Sequence, residues 1–334
     1  MSRANPLPRS GEFSKAVIVI VIGRLPLFPP SVAPLANLAT VPNVRRSLEN
    51  RRQTPYRMGM ITYVDVTADT PRSRTSAIKL YGADAFEGMR RAGRIAAETL
   101  DALVPLVVPG VTTGELDDFA RNAIVAAGAI PINIGYSGYA HATCISVNHV
   151  VCHGIPGAKT LMAGDILNID LTAVIDGWHG DTSRMFLVGD VPLKAKRLVH
   201  VTYECMMLGI EQAHPGNHLG DIGHAIQRHA EKNRYGVVRD FVGHGVGLVY
   251  HDEPDVAHYG RPGTGPELRP GMMFTIEPMI NIGKPGVKIL DDDWTAVTRD
   301  RSLSAQFEHS IGITEQGAEI FTLSPKGLHH PPYR

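Results

Sequence analysis

The 334-residue sequence predicts an α+β fold built from two similar halves, and three observations carry that reading. Helix, helix and strands follow one another in the same order twice along the chain. PGVTTGELDDFA at 109–120 and PGNHLGDIGHAI at 215–226 share Pro-Gly, a Gly four positions later, an acidic residue and an aliphatic one, at a constant offset of 106. Two strand-like segments, DILNIDLTAVI and WHGDTSRMFLV, flank Asp176-Gly177, a dipeptide that favours a two-residue hairpin turn. Pro-Gly turns are common before helices, so the repeated segment taken alone also suits two independent helix entries. A true duplication would leave a cleft between its halves, where ligands often bind.

The regular chain begins near residue 82. Asp84 is placed to cap a helix in which Met89, Ala92, Ile95, Ala96, Thr99, Leu100 and Leu103 recur at helical spacing, and Gly110 ends the region. A second helix follows in TTGELDDFARNAIVAAG, capped by Thr112 or Thr113 and stopped by Gly128. TCISVNHVVC, DILNIDLTAVI and WHGDTSRMFLV read as strands. Helical spacing returns from Lys194 to Ala213 and from Leu219 to Arg234, and MMFTIEPMI, WTAVT and EHSIGIT read as strands again. The expected organisation is an N-terminal extension over 1–81, a catalytic domain over 82–323 and a tail over 324–334.

Composition narrows the function classes. With 43% hydrophobic and 20% charged residues the chain can bury a full core. Its formal net charge is zero, and it has no run of about 18 apolar residues. Neither a specific nucleic acid nor a membrane is an expected partner. Cys144, Cys152 and Cys205 lack disulfide or zinc-knuckle spacing, which suits a reducing, cytoplasmic setting. The zero charge conceals an asymmetry, because residues 1–57 carry nine Lys or Arg against Glu12 and Glu49 and are rich in proline. That leader reads as a disordered segment, or one upstream of a true start at Met58 or Met60, with an interaction arm or an organellar targeting segment as the alternatives.

Five metal-binding side chains stand in distinctive surroundings: Asp170, Asp181, His244, Glu277 and Glu308. If Asp176-Gly177 turns the hairpin, Thr172 faces Asp181 and Asp170 is the diagonal neighbour on the same face. Such a pair is ordinarily a solvated surface feature. Here the strand around Asp170 is apolar, so two like charges repel and lose solvation unless a cation compensates them. His244 and His251 bracket the glycine-containing GVGLVY, which lets backbone approach a ligand. Glu277 and Glu308 sit in apolar strand segments. Four carboxylates and one imidazole suit a pair of divalent ions about 3.5 to 4 Å apart.

CHGIP at 152–156, NIDLTAVIDGWHGDTS, GHGVGLVYHDEPDVAHY, FTIEPMI and SAQFEHS, in this order and spacing, resemble the motifs of type I methionine aminopeptidases over about residues 82–323. The resemblance implies a pita-bread fold, with two pseudo-symmetric halves, an antiparallel sheet and flanking helices. It also implies a dimetal centre in which Asp181 and Glu308 bridge both ions, Asp170 chelates one, and His244 and Glu277 complete the other. Glu277 would then be the base for a bridging water, His251 would polarise the scissile carbonyl, and His153 would contact the substrate. The implied cofactors are two divalent ions, Co, Mn, Fe or Zn, which such ligands all accept.

For the methionine side chain the resemblance points to Tyr136, Tyr139, Cys144, Tyr250 and Trp294, a polarizable set suited to a thioether. Asn148, Val150 and Ser304 match positions that bind a monovalent cation. His149 and Asn133 depart from the family pattern, which bears on the pocket entrance. No zinc-finger pattern precedes the domain, and the 32 positions between His244 and Glu277 leave no room for the type II insertion. A proline-specific relative would share the five ligands, and a non-catalytic RNA- or protein-binding relative would have lost some of them. The implied substrates are nascent chains with a small second residue, acted on by a monomer with the ribosome as a partner.

Overall fold

A computed structural model describes residues 61–333, and the readings made for residues 1–57 lie outside them. The first half contains β1 (Tyr63–Asp65), β2 (Ile78–Leu80), α1 (Ala83–Leu103), α2 (Thr113–Ala126), β3 (Ile130–Pro131), β4 (Thr143–Val147), β5 (Val150–Cys152), β6 (Ile166–Ile175) and β7 (Trp178–Leu187). The second opens with α3 (Leu193–Glu211) and α4 (Leu219–Lys232). Its strands are β8 (Gly236–Val237), β9 (Gly243–Gly245), β10 (Asp252–Val256), β11 (Met273–Ile276), β12 (Met279–Asn281), β13 (Val287–Ile289), β14 (Ala296–Thr298), β15 (Ser304–Gln306), β16 (Glu308–Thr314) and β17 (Gly317–Ile320).

Nine strands form one antiparallel sheet in the order β10-β9-β11-β16-β7-β6-β3, with β17 beside β16 and β4 beside β6. The β6–β7 hairpin organises its centre. Asp176 and Gly177 take φ of 52° and 84°, the positive values a type I′ turn demands. Thr172 consequently pairs with Asp181 and Asp170 with Ser183, the register the turn predicts. α1 packs on β7 so closely that a Cβ on Gly180 would overlap the Ala92 backbone.

The 106-residue offset is a structural repeat. α2 and α4 begin and end 106 positions apart and share a length of 14 residues. Gly110 and Gly216 both have positive φ, 98° and 87°. Gly114 N donates to Gly157 O and Gly220 N to Thr264 O, both at 2.8 Å. Thr112 N donates to Glu115 Oε2 at 2.8 Å, and His218 N to Asp221 Oδ2 at 2.7 Å. Each half has its own core, one around Leu100, Leu116, Ile145 and Leu167, the other around Leu198, Ile222, Phe274 and Ile311.

Thr112 completes a capping box, because Glu115 N also donates to its Oγ1 at 3.2 Å. Thr112→Ala is expected to remove about 1 kcal/mol of stability in urea unfolding. No measurable loss would show that the rest of the turn carries the helix end.

Several boundaries differ from the sequence reading. α1 is capped at Gly82 with no side-chain bond, and Asp84 lies inside the first turn, where its charge favours the helix dipole. TCISVNHVVC breaks into β4 and β5 around Asn148, whose φ is 56°. MMFTIEPMI breaks at Glu277-Pro278, since proline cannot donate to the ladder. Order begins ahead of residue 82: β1 and β2 pair in parallel, and Ile78 and Lys79 are buried. The segment after 323 is anchored too, with Ser324 Oγ bonded to Asp101 at 2.9 Å and Tyr333 OH to Met185 O at 2.7 Å.

Candidate metal centre and active site

Strand register builds the centre. Cys144, Asp170, Ser183 and Glu308 lie opposite one another in turn across β4, β6, β7 and β16. Because side chains alternate along a strand, Asp181 projects on the same face as Ser183. Ile276 pairs with His309, so Glu277, the next residue, arrives beside Glu308. On β9, His244 N donates to Thr275 Oγ1 at 3.0 Å. Asp181, His244 and Glu308 can bring three ligand atoms within 4.8 Å of one another, and all three residues are buried.

The five candidate ligands thus share one face, and the residues around them fix their orientation. Thr172 Oγ1 donates to Asp181 Oδ1 at 2.7 Å, leaving Oδ2 towards His244 Nε2 at 3.4 Å. Glu277 Oε1 accepts from Thr275 Oγ1 at 2.8 Å and lies 3.6 Å from His244 Nε2. Gln306 Nε2 donates to Glu277 Oε2 at 3.3 Å, and Glu277 N donates to His258 Nε2 at 3.1 Å. His244 Nδ1 lies 3.0 Å from Gly245 O, which can only accept, so Nδ1 carries the proton and Nε2 faces the carboxylates.

The electrostatics fit a cation. Burial first, then the charges of Asp181 and Glu277, push the Asp170 carboxyl well above its ordinary value. Glu308 is raised in the same direction by burial and by Asp181, Glu277 and Asp170. Burial opposes a charge on His244, yet its bond to Asp181 and the charge of Glu277 push it up overall. No Lys or Arg pairs with Asp170, Asp181 or Glu308 among the described residues. Such a site holds protons by default and exchanges them for divalent metal, and oxygen donors with one imidazole suit that exchange.

The histidines stand beside this group. His251, at φ 59°, has its ring 4.2 Å from that of His244 and stacked 3.9 Å from Tyr250. Its Nδ1 shares a 2.6 Å hydrogen bond with Tyr136 OH. Burial and the neighbouring His244 and His153 hold His251 well below the ordinary imidazole value. His153, at φ 56°, is pushed down to about 4 by burial, and its Nδ1 has no partner among the described residues. Its ring meets Phe241 at 5.3 Å and Trp294 at 6.1 Å, and Trp294 lies 4.9 Å from Tyr139.

Not every candidate is equally available. Tyr139 OH is bonded to Thr143 O at 2.9 Å, so its ring is the free part. Tyr250 OH lies between Thr172 Oγ1 at 3.2 Å and Asn133 Oδ1 at 3.3 Å, which gives the unusual Asn133 a structural partner. His149 is exposed. The Asn148 side chain is engaged by Asp165 and Ile166 N, while its carbonyl accepts from Ser304 N at 2.9 Å. Ser304 Oγ is buried without a partner among the described residues, and Val150 pairs with Val297 on β14. Sequence reasoning missed Thr275, Gln306, His258 and Phe241 as neighbours of the site. Thr275 and Gln306 lie two positions before named ligands, a spacing that signals a shared strand face, whereas His258 and Phe241 leave no sequence signal.

The chain is similar to known metallopeptidases in sequence and in fold. The model for metallopeptidase family M24 matches residues 87–315. Methionine aminopeptidase of Rickettsia prowazekii (strain Madrid E) is 56% identical over 257 residues, 77% of this chain and 99% of that protein. The crystal structure of methionine aminopeptidase from Rickettsia prowazekii aligns with a TM-score of 0.73 at 56% identity, covering 74% of this chain and all, 100%, of that one. The corresponding crystal structure from Thermotoga maritima aligns at 0.72 with 41% identity, over 73% and 99% of the two chains.

Proposed function

Because the chain belongs to metallopeptidase family M24 and, within it, to the methionine aminopeptidases, we propose that it removes the N-terminal methionine from nascent polypeptides whose second residue is small. The observation that carries this reading is the convergence of Asp170, Asp181, His244, Glu277 and Glu308 on one sheet face. Asp181 and Glu308 stand on the neighbouring strands β7 and β16, with Asp170 on β6 to one side and Glu277 and His244, after β11 and on β9, to the other, and the five would hold two divalent ions. Divalent ions bound there supply Lewis acidity and make water acidic enough to lose a proton near neutral pH.

The chain's own groups do the rest. Glu277 is the base that takes the proton of the attacking water, held by Thr275 and Gln306 so that its carboxylate cannot rotate away. His251 stays neutral because its pKa is depressed. If Tyr136 OH donates to its Nδ1, then Nε2 keeps a proton with which to stabilise the carbonyl oxygen as charge develops. Neutral His153, whose Nδ1 has no partner among the described residues, would hydrogen-bond the substrate near the scissile amide. Tyr136, Tyr139, Cys144, Tyr250 and Trp294, with Phe241, offer aromatic and sulfur surface to a thioether.

Mn, Fe, Co and Zn all suit the ligand set, and metal availability decides among them. The unpartnered Ser304 hydroxyl and the Asn148 carbonyl support a monovalent cation near Val150. We place it as a cytoplasmic monomer that meets nascent N-termini at the ribosome. No helix among the described residues is long and apolar enough to cross a membrane.

Peptide cleavage tests the proposal. With manganese or cobalt the protein is expected to release methionine from Met-Ala-Ser and to leave Xaa-Pro peptides intact. Proline-directed cleavage, or no methionine at any metal concentration, would overturn it.

A further inference from the structure

The family model begins at residue 87, yet residues ahead of it reach the active site. Arg74 Nη1 donates to the backbone carbonyl of His251 at 3.2 Å. Its Nη2 bridges Glu253 Oε1 at 2.7 Å and Asp255 Oδ1 at 3.1 Å. Buried Lys79 donates to Asp252 Oδ2 at 2.5 Å and to Ser73 O at 3.1 Å. Two cations on the segment before α1 thus hold three carboxylates and a carbonyl within five residues, His251 to Asp255.

That stretch needs holding. His251 is a non-glycine residue at φ 59°, a conformation that persists only when its surroundings impose it. The β9–β10 ladder does not impose it, because β10 begins only at Asp252, and its register slips between Asp252 and Asp255. Asp252, Glu253 and Asp255 would repel one another if left uncompensated. The imidazole hangs from this same backbone, between Tyr136 OH and the His244 ring.

We infer that Arg74, backed by Lys79, is a positioning residue of the hydrolytic site, fixing the backbone conformation from which His251 faces the reacting carbonyl. The inference rests on the reading of His251 given above. The Arg74 side chain is 41% exposed, so its ion pairs add little to global stability and its effect falls on geometry. Small displacements of a catalytic group lower turnover far more than they lower stability.

The test compares full-length wild type with Arg74→Ala, Arg74→Lys, His251→Ala and Arg74→Ala/His251→Ala. Arg74→Ala is expected to lower kcat on Met-Ala-Ser about tenfold, with KM changed less than about twofold. Arg74→Lys is expected to recover most of the loss. In the His251→Ala background, Arg74→Ala should cost less than about twofold more, because both changes act through one imidazole. Amide hydrogen exchange over 251–256 in metal-free protein should accelerate in Arg74→Ala while β6 and β7 stay protected.

Unchanged kcat, an equal loss in the His251→Ala background, or unchanged exchange over 251–256 would each overturn the inference. If Arg74→Ala does not fold, Glu253→Gln/Asp255→Asn removes the same bonds from the other side and is held to the same outcomes. Should wild type release no methionine, the functional reading fails on its own, and exchange alone decides whether Arg74 orders this stretch.

Discussion

Glu277→Gln is expected to lower kcat on Met-Ala-Ser by about a thousandfold or more while the protein stays folded. A positioned general base contributes about 10²- to 10⁴-fold, and the substitution also removes one negative charge from the candidate metal ligands. The fold should tolerate it, because the amide keeps an oxygen that can accept from Thr275 Oγ1. The new NH₂ would face Gln306 Nε2, a donor against a donor, but Gln306 Oε1 is buried without a partner among the described residues. A flip of the Gln306 amide restores the bond. Metal content separates the two duties: two ions per chain with lost turnover identifies the base, while fewer ions identifies the ligand. Turnover within tenfold of wild type at full metal occupancy would rule Glu277 out as the base.

Much of this site was legible because its information is local. Asp176-Gly177 sets the turn, the turn sets the register, and the register puts Thr172 opposite Asp181. The apolar neighbours of Asp170 then make its charge costly, an argument that needs no tertiary structure. The repeat was legible for the same reason, since Pro-Gly and the helix-entry residues recur at one offset. Groups that meet only in three dimensions were not. His258 reaches Glu277 N across 19 positions, and Arg74 reaches His251 across 177. Asp84 misled because an acidic residue near a helix start serves equally as a cap or as a first-turn charge, and only backbone dihedrals separate the two. The boundary at 82 misled because short strands such as β1 and β2 are too brief to show periodicity and are held by Lys79 and Ile78.

Divalent metal is expected to stabilise the chain by an increment that grows with pH. At a hundred times its Kd one ion adds about 2.7 kcal/mol, which for a domain of this size raises Tm by about 5–10 °C. Without metal, Asp170, Glu308 and His244 keep protons in the folded state at pH values where the unfolded chain has released them. The folded state then binds more protons than the unfolded one, so stability falls as pH rises, from about 4 upward for the carboxyls and about 6.5 upward for His244. His153, His251 and His258 are depressed instead and pull the other way below about pH 6.5, where only the unfolded chain takes up their protons. Above that pH they are neutral in both states, and the raised groups set the slope. Metal competes with those same protons, so the Tm gap between manganese-loaded and chelator-stripped protein should widen from pH 6.5 to pH 8, as the falling proton concentration weakens that competition. A gap that stays constant or narrows would show that the cation does not replace protons on Asp170, Glu308 and His244, and that their crowding on one sheet face has another cause.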